Sequence, residues 1–147
     1  MKQRILITSI VILALLLQSF SSKDTYTLKV KIYDLQNSKG NVVVMIYNKD
    51  GSIPDKTFTH YYKKKIVNIN QNEAYVEFEN MPAGKYAVNI FHDENKNGKL
   101  DKGWVMPKEG FGLSNFIKVN LFNKPNFKRA SFLLDKDMLV KIKTIYM

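Results

Sequence analysis

Not one of the 147 residues is a cysteine, and only His60 and His92 are histidines. Without a thiol there is no disulfide, no thiolate nucleophile and no zinc–sulfur centre. There is also no cysteine to carry a lipid anchor. Long apolar runs are equally scarce. The run Ile5–Leu17 is broken only by Thr8 and Ser9, yet it falls short of the ~20 residues that a membrane-crossing helix needs. Lys2 and Arg4 precede it and Gln18-Ser19-Phe20-Ser21 follows, which is the layout of a secretory signal peptide cut after Ser21. An uncleaved anchor is the other reading of that segment. The expectation is a signal peptide over 1–21 and one domain over 22–147, exported to the periplasm or the extracellular space.

The catalytic signatures are thin as well. Ser114 sits in Gly110-Phe111-Gly112-Leu113-Ser114-Asn115, which is not the Gly-x-Ser-x-Gly elbow of a hydrolase. Asp101 and Glu109 stand as a carboxylate pair for glycoside chemistry only by default. His92 next to Asp93 is the one histidine–carboxylate neighbour pair, and it is expected at a strand end with its ring half buried and hydrogen-bonded.

What remains is basic, apolar and patterned for strands. Without Lys2 and Arg4 the chain carries twenty-one basic residues against thirteen acidic ones, a balance of +8. Outside the cytoplasm such a surface meets anionic polysaccharide, lipid head groups or an envelope protein, so no nucleic acid is expected. Most lysines fall at alternate positions, as on solvated strand faces, and Tyr61-Tyr62-Lys63-Lys64-Lys65 is the one cluster. The hydrophobic pattern has a period of two. Tyr26, Leu28, Val30 and Ile32 alternate with Thr27, Lys29, Lys31 and Tyr33. Further strands are read at 42–47, 63–69, 74–78 and 85–91, and 129–134 with 139–145 reads as a closing pair across Asp135-Lys136-Asp137. About seven strands with no convincing helix predict an all-β, antiparallel Greek-key sandwich, transthyretin- or immunoglobulin-like, with a long loop before the last two strands. A closed barrel is the alternative.

At Pro82-Ala83-Gly84-Lys85-Tyr86, proline and glycine force a corner between strands, and Tyr86 can tuck its ring into the core. That arrangement is similar to the transthyretin-like accessory sandwiches of secreted bacterial proteins.

The most distinctive stretch is Asp93-Glu94-Asn95-Lys96-Asn97-Gly98-Lys99-Leu100-Asp101. Counted as a calcium loop, Asp93, Asn95, Asn97 and Asp101 supply side-chain oxygens and Lys99 its carbonyl. Gly98 then stands at the sharp turn, and Leu100 pins the loop to the core. Position twelve is Trp104 rather than a bidentate glutamate, while Glu109 can fold back from the following loop. Calcium is therefore the candidate cofactor, at the weak end of the range, ~10⁻⁴–10⁻³ M. The competing reading is a polar turn that needs positive φ at Gly98.

Phe91-His92-Asp93-Glu94-Asn95 with Asn97-Gly98-Lys99-Leu100-Asp101, followed by Pro107-Lys108-Glu109-Gly110-Phe111-Gly112-Leu113-Ser114-Asn115, resembles the bacterial domain-of-unknown-function family numbered 2141. Pro125, Phe127, Ala130 and Phe132 look like that family's Pro-x-Phe-x-x-Ala-x-Phe segment, and the resemblance spans about Leu28 to Ile145. It implies an exported single-domain protein and no particular activity. Lys128 and Arg129 stand where acidic residues are expected, which weakens any second acidic cluster at the site.

The segment Gly103–Asn126, with Phe127 after it, brings Trp104, Phe111, Phe116 and Phe122, either as a ligand patch or as a lid over one end of the sandwich. Most of these rings are expected in the core and Trp104 partly exposed, so Trp104, Glu109 and Phe111 are the candidate binding residues. Two functions follow. One is an exported non-catalytic binding or structural module; the other is a small periplasmic hydrolase-like enzyme using His92 with Asp93 and Glu109.

Overall fold

The computed structural model describes residues 24–101, 108–120 and 122–147. The expected signal peptide and Trp104 lie outside the described residues. The elements are β1 (Thr25–Tyr33), β2 (Asn41–Tyr47), β3 (Lys63–Val67), β4 (Ala74–Pro82), β5 (Gly84–Asp93), β6 (Phe111–Leu113), a single turn of helix α1 (Phe127–Ala130), β7 (Phe132–Leu134) and β8 (Met138–Lys143). The protein is all-β.

Two sheets form, and neither closes into a barrel. The smaller has the order β4-β1-β8; the larger runs β3-β2-β5-β6, with β7 also paired to β5. β6 pairs with Asn89–Phe91 and β7 with Gly84–Tyr86, so these two short strands share one edge of β5 end to end.

The alternation in β1 does what its period requires. Leu28, Val30 and Ile32 are fully buried, while Lys29 and Lys31 reach Glu77 and Glu73 on the outer side. The inter-sheet core adds Val42, Val44 and Ile46 from β2, Val76 and Phe78 from β4, and Val88 and Ile90 from β5. β2, however, is buried along nearly its whole length. Its other face, Val43, Met45 and Tyr47, joins Ala87 and Phe91 of β5 in a second core outside the sandwich. Loop residues Ile53 and Phe116, with Phe127 of α1, cover that second core.

Several expectations need correction. Eight strands are present among the described residues rather than seven, because Phe111–Leu113 forms β6 inside the expected long loop. Arg129 and Ala130 belong to α1, not to a strand, since Asn126 Oδ1 caps the Arg129 N–H at 3.0 Å. The last two strands do not pair with each other. β7 joins the larger sheet, while β8 runs parallel to β1, so the sandwich is not purely antiparallel. The register explains the preference: Met138, Val140 and Ile142 stand beside Leu28, Val30 and Ile32, inward residue beside inward residue. Asp137 strengthens the join by accepting the Thr27 N–H at 2.8 Å.

At the corner, β4 hands over to β5 across Ala83 and the chain changes sheet. Tyr86 is 4% exposed and donates its hydroxyl to the Pro82 carbonyl at 2.9 Å, bracing the turn.

The register of β1 has a direct test. Leu28→Asp places a carboxylate where nothing can pair it, costing several kcal/mol, on the order of the whole stability of a domain this size. Lys29→Gln loses one exposed ion pair, worth about 0–1 kcal/mol. Thermal melts should show no cooperative unfolding for the first and a near-native midpoint for the second.

Candidate functional site

The distinctive loop starts where β5 ends. Asp93 is 1% exposed, and its carboxylate accepts the N–H groups of Asn97 (2.9 Å) and Gly98 (2.8 Å). Positive φ at Lys96 (59°) and Gly98 (74°) turns these amides back toward it. Asn95 Oδ1 accepts the Asn97 N–H at 3.0 Å, and Asn97 Oδ1 accepts the Lys99 N–H at 2.8 Å. With both oxygens so used, the two amide nitrogens face Asp101, donating to its carboxylate at 2.7 Å and 3.0 Å. Glu109, also buried, folds back from before β6 and accepts the N–H groups of Glu94 and Asp101, each at 2.9 Å.

Asp93, Asn95, Asn97, Asp101 and Glu109 are therefore brought together, and Lys99 joins through its N–H. Every one of the three carboxylates already accepts two hydrogen bonds, Asp93 and Glu109 from backbone N–H groups and Asp101 from the side-chain amides. Among the described residues, no three acidic or histidine side chains form a group able to hold a metal. An incoming cation would have to turn over the Asn95 and Asn97 amides, giving up both bonds to the backbone.

His92 is fully buried rather than half buried. Its Nε2 lies 2.8 Å from the Lys39 carbonyl, which can only accept, so that nitrogen carries the proton. Nδ1 then accepts from the Tyr146 hydroxyl at 2.7 Å, and the Tyr146 oxygen accepts the Gln36 N–H at 3.1 Å. Burial holds the Tyr146 hydroxyl above its ordinary pKa, and the nearby Glu94 adds to this, outweighing the Gln36 bond. Glu94 stands 3.9 Å from Nδ1. The other hydrolase candidate, Ser114, is fully buried; its hydroxyl donates to the Ala130 carbonyl (2.7 Å) and accepts the Val88 N–H (2.9 Å). His92 ties β5 to the turn at Lys39 and to Tyr146, and Ser114 ties β5 to α1.

Gly40 shows how tightly the β1–β2 turn sits on this region. Its φ is +72°, and a Cβ there would stand 1.9 Å from the Asp93 carbonyl oxygen.

A second buried carboxylate knot went unread in the sequence. Asp55 accepts the His60 N–H (2.8 Å), His60 Nδ1 (3.1 Å), the Thr57 N–H and hydroxyl (3.3 and 3.2 Å) and the Tyr47 hydroxyl (3.2 Å). Burial alone would raise its pKa, but the His60, Thr57 and Tyr47 donors together hold it below the ordinary carboxylate value. Tyr47, pressed by burial and by Asp55, is pushed far above its usual value. The only hint was an aspartate after proline in a polar loop; its partner Tyr47 lies eight residues away on β2.

Between the Asp55 loop and the Asp93–Asp101 loop lies an apolar cavity of about 220 Å³, with Phe111 in its wall and Asn89 among its few polar neighbours. Of the candidate binding residues, Phe111 thus reaches a cavity, while Glu109 is committed to backbone. Phe116 and Phe127 are buried and Phe122 is 97% exposed. The lysine cluster is held locally: Lys65 Nζ donates to the Glu77 carbonyl at 2.7 Å, and Lys64 lies over the Tyr61 ring.

Residues 30–142 match the family model described as an uncharacterized protein conserved in bacteria, DUF2141. The chain belongs to that family. Neither the curated proteins nor the solved structures offer a match to it.

Two outcomes check this geometry. Glu109→Gln keeps one acceptor and strands one partly buried N–H, so the melting midpoint should fall by the equivalent of about 1 kcal/mol. Asp55 has a folded pKa below its unfolded value of 3.8. Its contribution is therefore complete above that value and disappears as pH falls through the lower folded one. Asp55→Asn should melt lower at neutral pH and lose less of its midpoint than wild type when titrated from about pH 5 to pH 2.

Proposed function

We propose that this member of the family is an exported, non-catalytic binding module that works from the face formed by the Asp55 loop, the Asp93–Asp101 loop and β6. The observation that carries the reading is His92. A hydrolase built on it needs an accessible ring nitrogen within reach of substrate. Both ring nitrogens are instead hydrogen-bonded inside the protein, and the ring has no exposure.

In the same reading the sandwich is a Greek-key relative of the transthyretin-like modules, supported by the sheet-switching corner that Tyr86 braces. Its partners are anionic polysaccharide, lipid head groups or an envelope protein, drawn by the basic surface.

Calcium enters as a competitor for the Asn95 and Asn97 amides. It would be held by Asp101, the two rotated amide oxygens and the Lys99 carbonyl, with Asp93 holding the loop's shape. Breaking the two amide–backbone bonds keeps affinity near ~10⁻³ M. About 10 mM calcium, roughly ten times that value, should add about 1.4 kcal/mol and raise the melting midpoint by several degrees. Magnesium should not reproduce the shift, because its smaller shell demands stricter geometry. Asp101→Asn, which spares the buried Asp93, should erase it. A midpoint indifferent to calcium would leave the loop a self-satisfied polar turn. Turnover of a chromogenic ester or glycoside, lost in His92→Asn, would overturn the non-catalytic reading.

A further inference from the structure

We infer that β8 is a docking edge for a second copy of this chain, the two β8 strands pairing antiparallel about Leu139 and joining the smaller sheets into one. The inference goes beyond the binding-module reading and does not depend on it. β8 ends the order β4-β1-β8, so one of its edges is open among the described residues. The register shows which groups point there. Lys143 stands beside Tyr33, and the Thr144 N–H donates to the Tyr33 carbonyl at 3.0 Å. Backbone groups alternate in direction along a strand, so Met138, Val140 and Ile142 also face β1. The N–H and C=O groups of Leu139 and Lys141 therefore point away from it. Among the described residues, β6 meets this edge past the strand's end, where Phe111 and Ile145 exchange bonds of 3.0 and 2.7 Å. The opposite side of the sandwich is protected. There Lys65 and Lys63 of β3 donate to the Glu77 and Glu79 carbonyls of β4 at 2.7 and 3.4 Å, covering acceptors that an added strand would need.

The occupant follows from the order of charges. Along the alternate positions through Leu139, Asp135 and Asp137 come before it and Lys141 and Lys143 after it. A strand carrying charge of a single sign would be repelled at one end. A second β8 laid antiparallel about Leu139 instead brings Asp137 opposite the partner's Lys141 and Asp135 toward the partner's Lys143, and symmetry repeats both contacts. Lys141 is exposed and makes no ion pair among the described residues. Asp137 gives one carboxylate oxygen to the Thr27 N–H and keeps the other. Lys143 already holds Asp34 at 3.4 Å, so the Asp137–Lys141 contacts carry the selectivity. Centring the pair on Lys141 would set like charges face to face. The apolar surface agrees with the charges. Leu139 is exposed and meets its own copy on the axis. Beside β8 runs a groove of about 390 Å³ walled by Phe116, Ile117, Phe132, Met138 and Val140, with Ile117 exposed at its lip. Pairing lays the partner's Val140 and Met138 beside Met138 and Val140. One strand from each copy makes a small interface, so the dimer belongs to the weak, concentration-dependent class.

The test is sedimentation velocity on the exported chain from about 10 μM to about 1 mM, the range of weak association, with amide hydrogen exchange at both ends. The mass should climb from monomer toward dimer. Exchange at the Leu139 and Lys141 amides should slow at least fivefold at the upper concentration, while Val140, already bonded to β1, stays unchanged. Leu139→Pro removes an outward N–H that β1 does not use, and Lys141→Asp sets acid against acid. Each should weaken association at least fivefold with a near-native melting midpoint, and Lys64→Asp, the same charge change on exposed β3, should not weaken it. If Leu139→Pro does not fold, Lys141→Asp and the amide exchange decide. The chain has no cysteine of its own, so Leu139→Cys reports the register. Opposed Cα atoms of a hydrogen-bonded pair stand about 5.5 Å apart, within disulfide reach, so oxidation should cross-link it at least fivefold faster than Lys64→Cys. A chain that stays monomeric at the upper concentration, a dimer whose Leu139 and Lys141 amides exchange as before, or association indifferent to Lys141→Asp would overturn the inference and leave the edge to another strand.

Discussion

Strands β2 and β5 carry apolar side chains on both faces, and water has to be kept from both. One face is covered by the opposing sheet. The other, Val43, Met45, Tyr47, Ala87 and Phe91, has no third sheet to meet. Exposing such residues would cost about 1.5–3 kcal/mol for each large side chain. Loops and the short helix therefore lie down on it, bringing Ile53, Phe58, Phe116 and Phe127 as their anchoring carbon. The face that this reading makes functional is thus ordered for reasons of solubility first. Among the described residues, the cavity is the place where that covering is incomplete.

Loops pressed onto a core have backbone N–H groups that strands do not satisfy, and here buried acids receive them. Asp55 gathers the turn around Thr57 and His60, Asp93 gathers Asn97 and Gly98, and Glu109 holds both ends of the Asp93–Asp101 loop. A carboxylate suits the task because it offers several lone pairs and forms stronger bonds than a neutral acceptor. The same residue types in the same spacing make a cation loop. What distinguishes the two is which way the asparagine amides point.

Much of the architecture was legible in residue patterns. The alternation from Tyr26 to Tyr33 marked β1, and the β-branched run from Val42 marked a central strand. The Pro82–Gly84 corner with Tyr86 marked the change of direction. Asp93, Asn95, Asn97 and Asp101 were legible as one cluster, with Glu109 folding back to it. Apart from α1, which Asn126 caps locally, the misses share a cause: contacts far apart in the chain. Two short strands beside a three-residue turn read as a hairpin, but parallel pairing with β1 offered β8 a better-matched inward face. Phe111-Gly112-Leu113 is too short for a periodic signal, and its glycine hides the reason it is there. A Cβ at Gly112 would stand 2.6 Å from the Lys143 carbonyl oxygen, so β6 approaches the end of β8 too closely for any side chain. The tautomer of His92 is set by the Lys39 carbonyl, 53 residues away, and no local pattern announces that.

The parallel join of β1 to β8 also bears on the order of events in time. β1 is the middle strand of its sheet, yet the Asp137 carboxylate that receives its Thr27 N–H arrives 110 residues later. A chain still emerging from the ribosome holds β1 with one flank bare until Met138–Lys143 emerges. Contacts of such long span are slow to form, because the loop must close before the pairing rewards it. The smaller sheet is therefore completed late, only once β8 has arrived to flank β1.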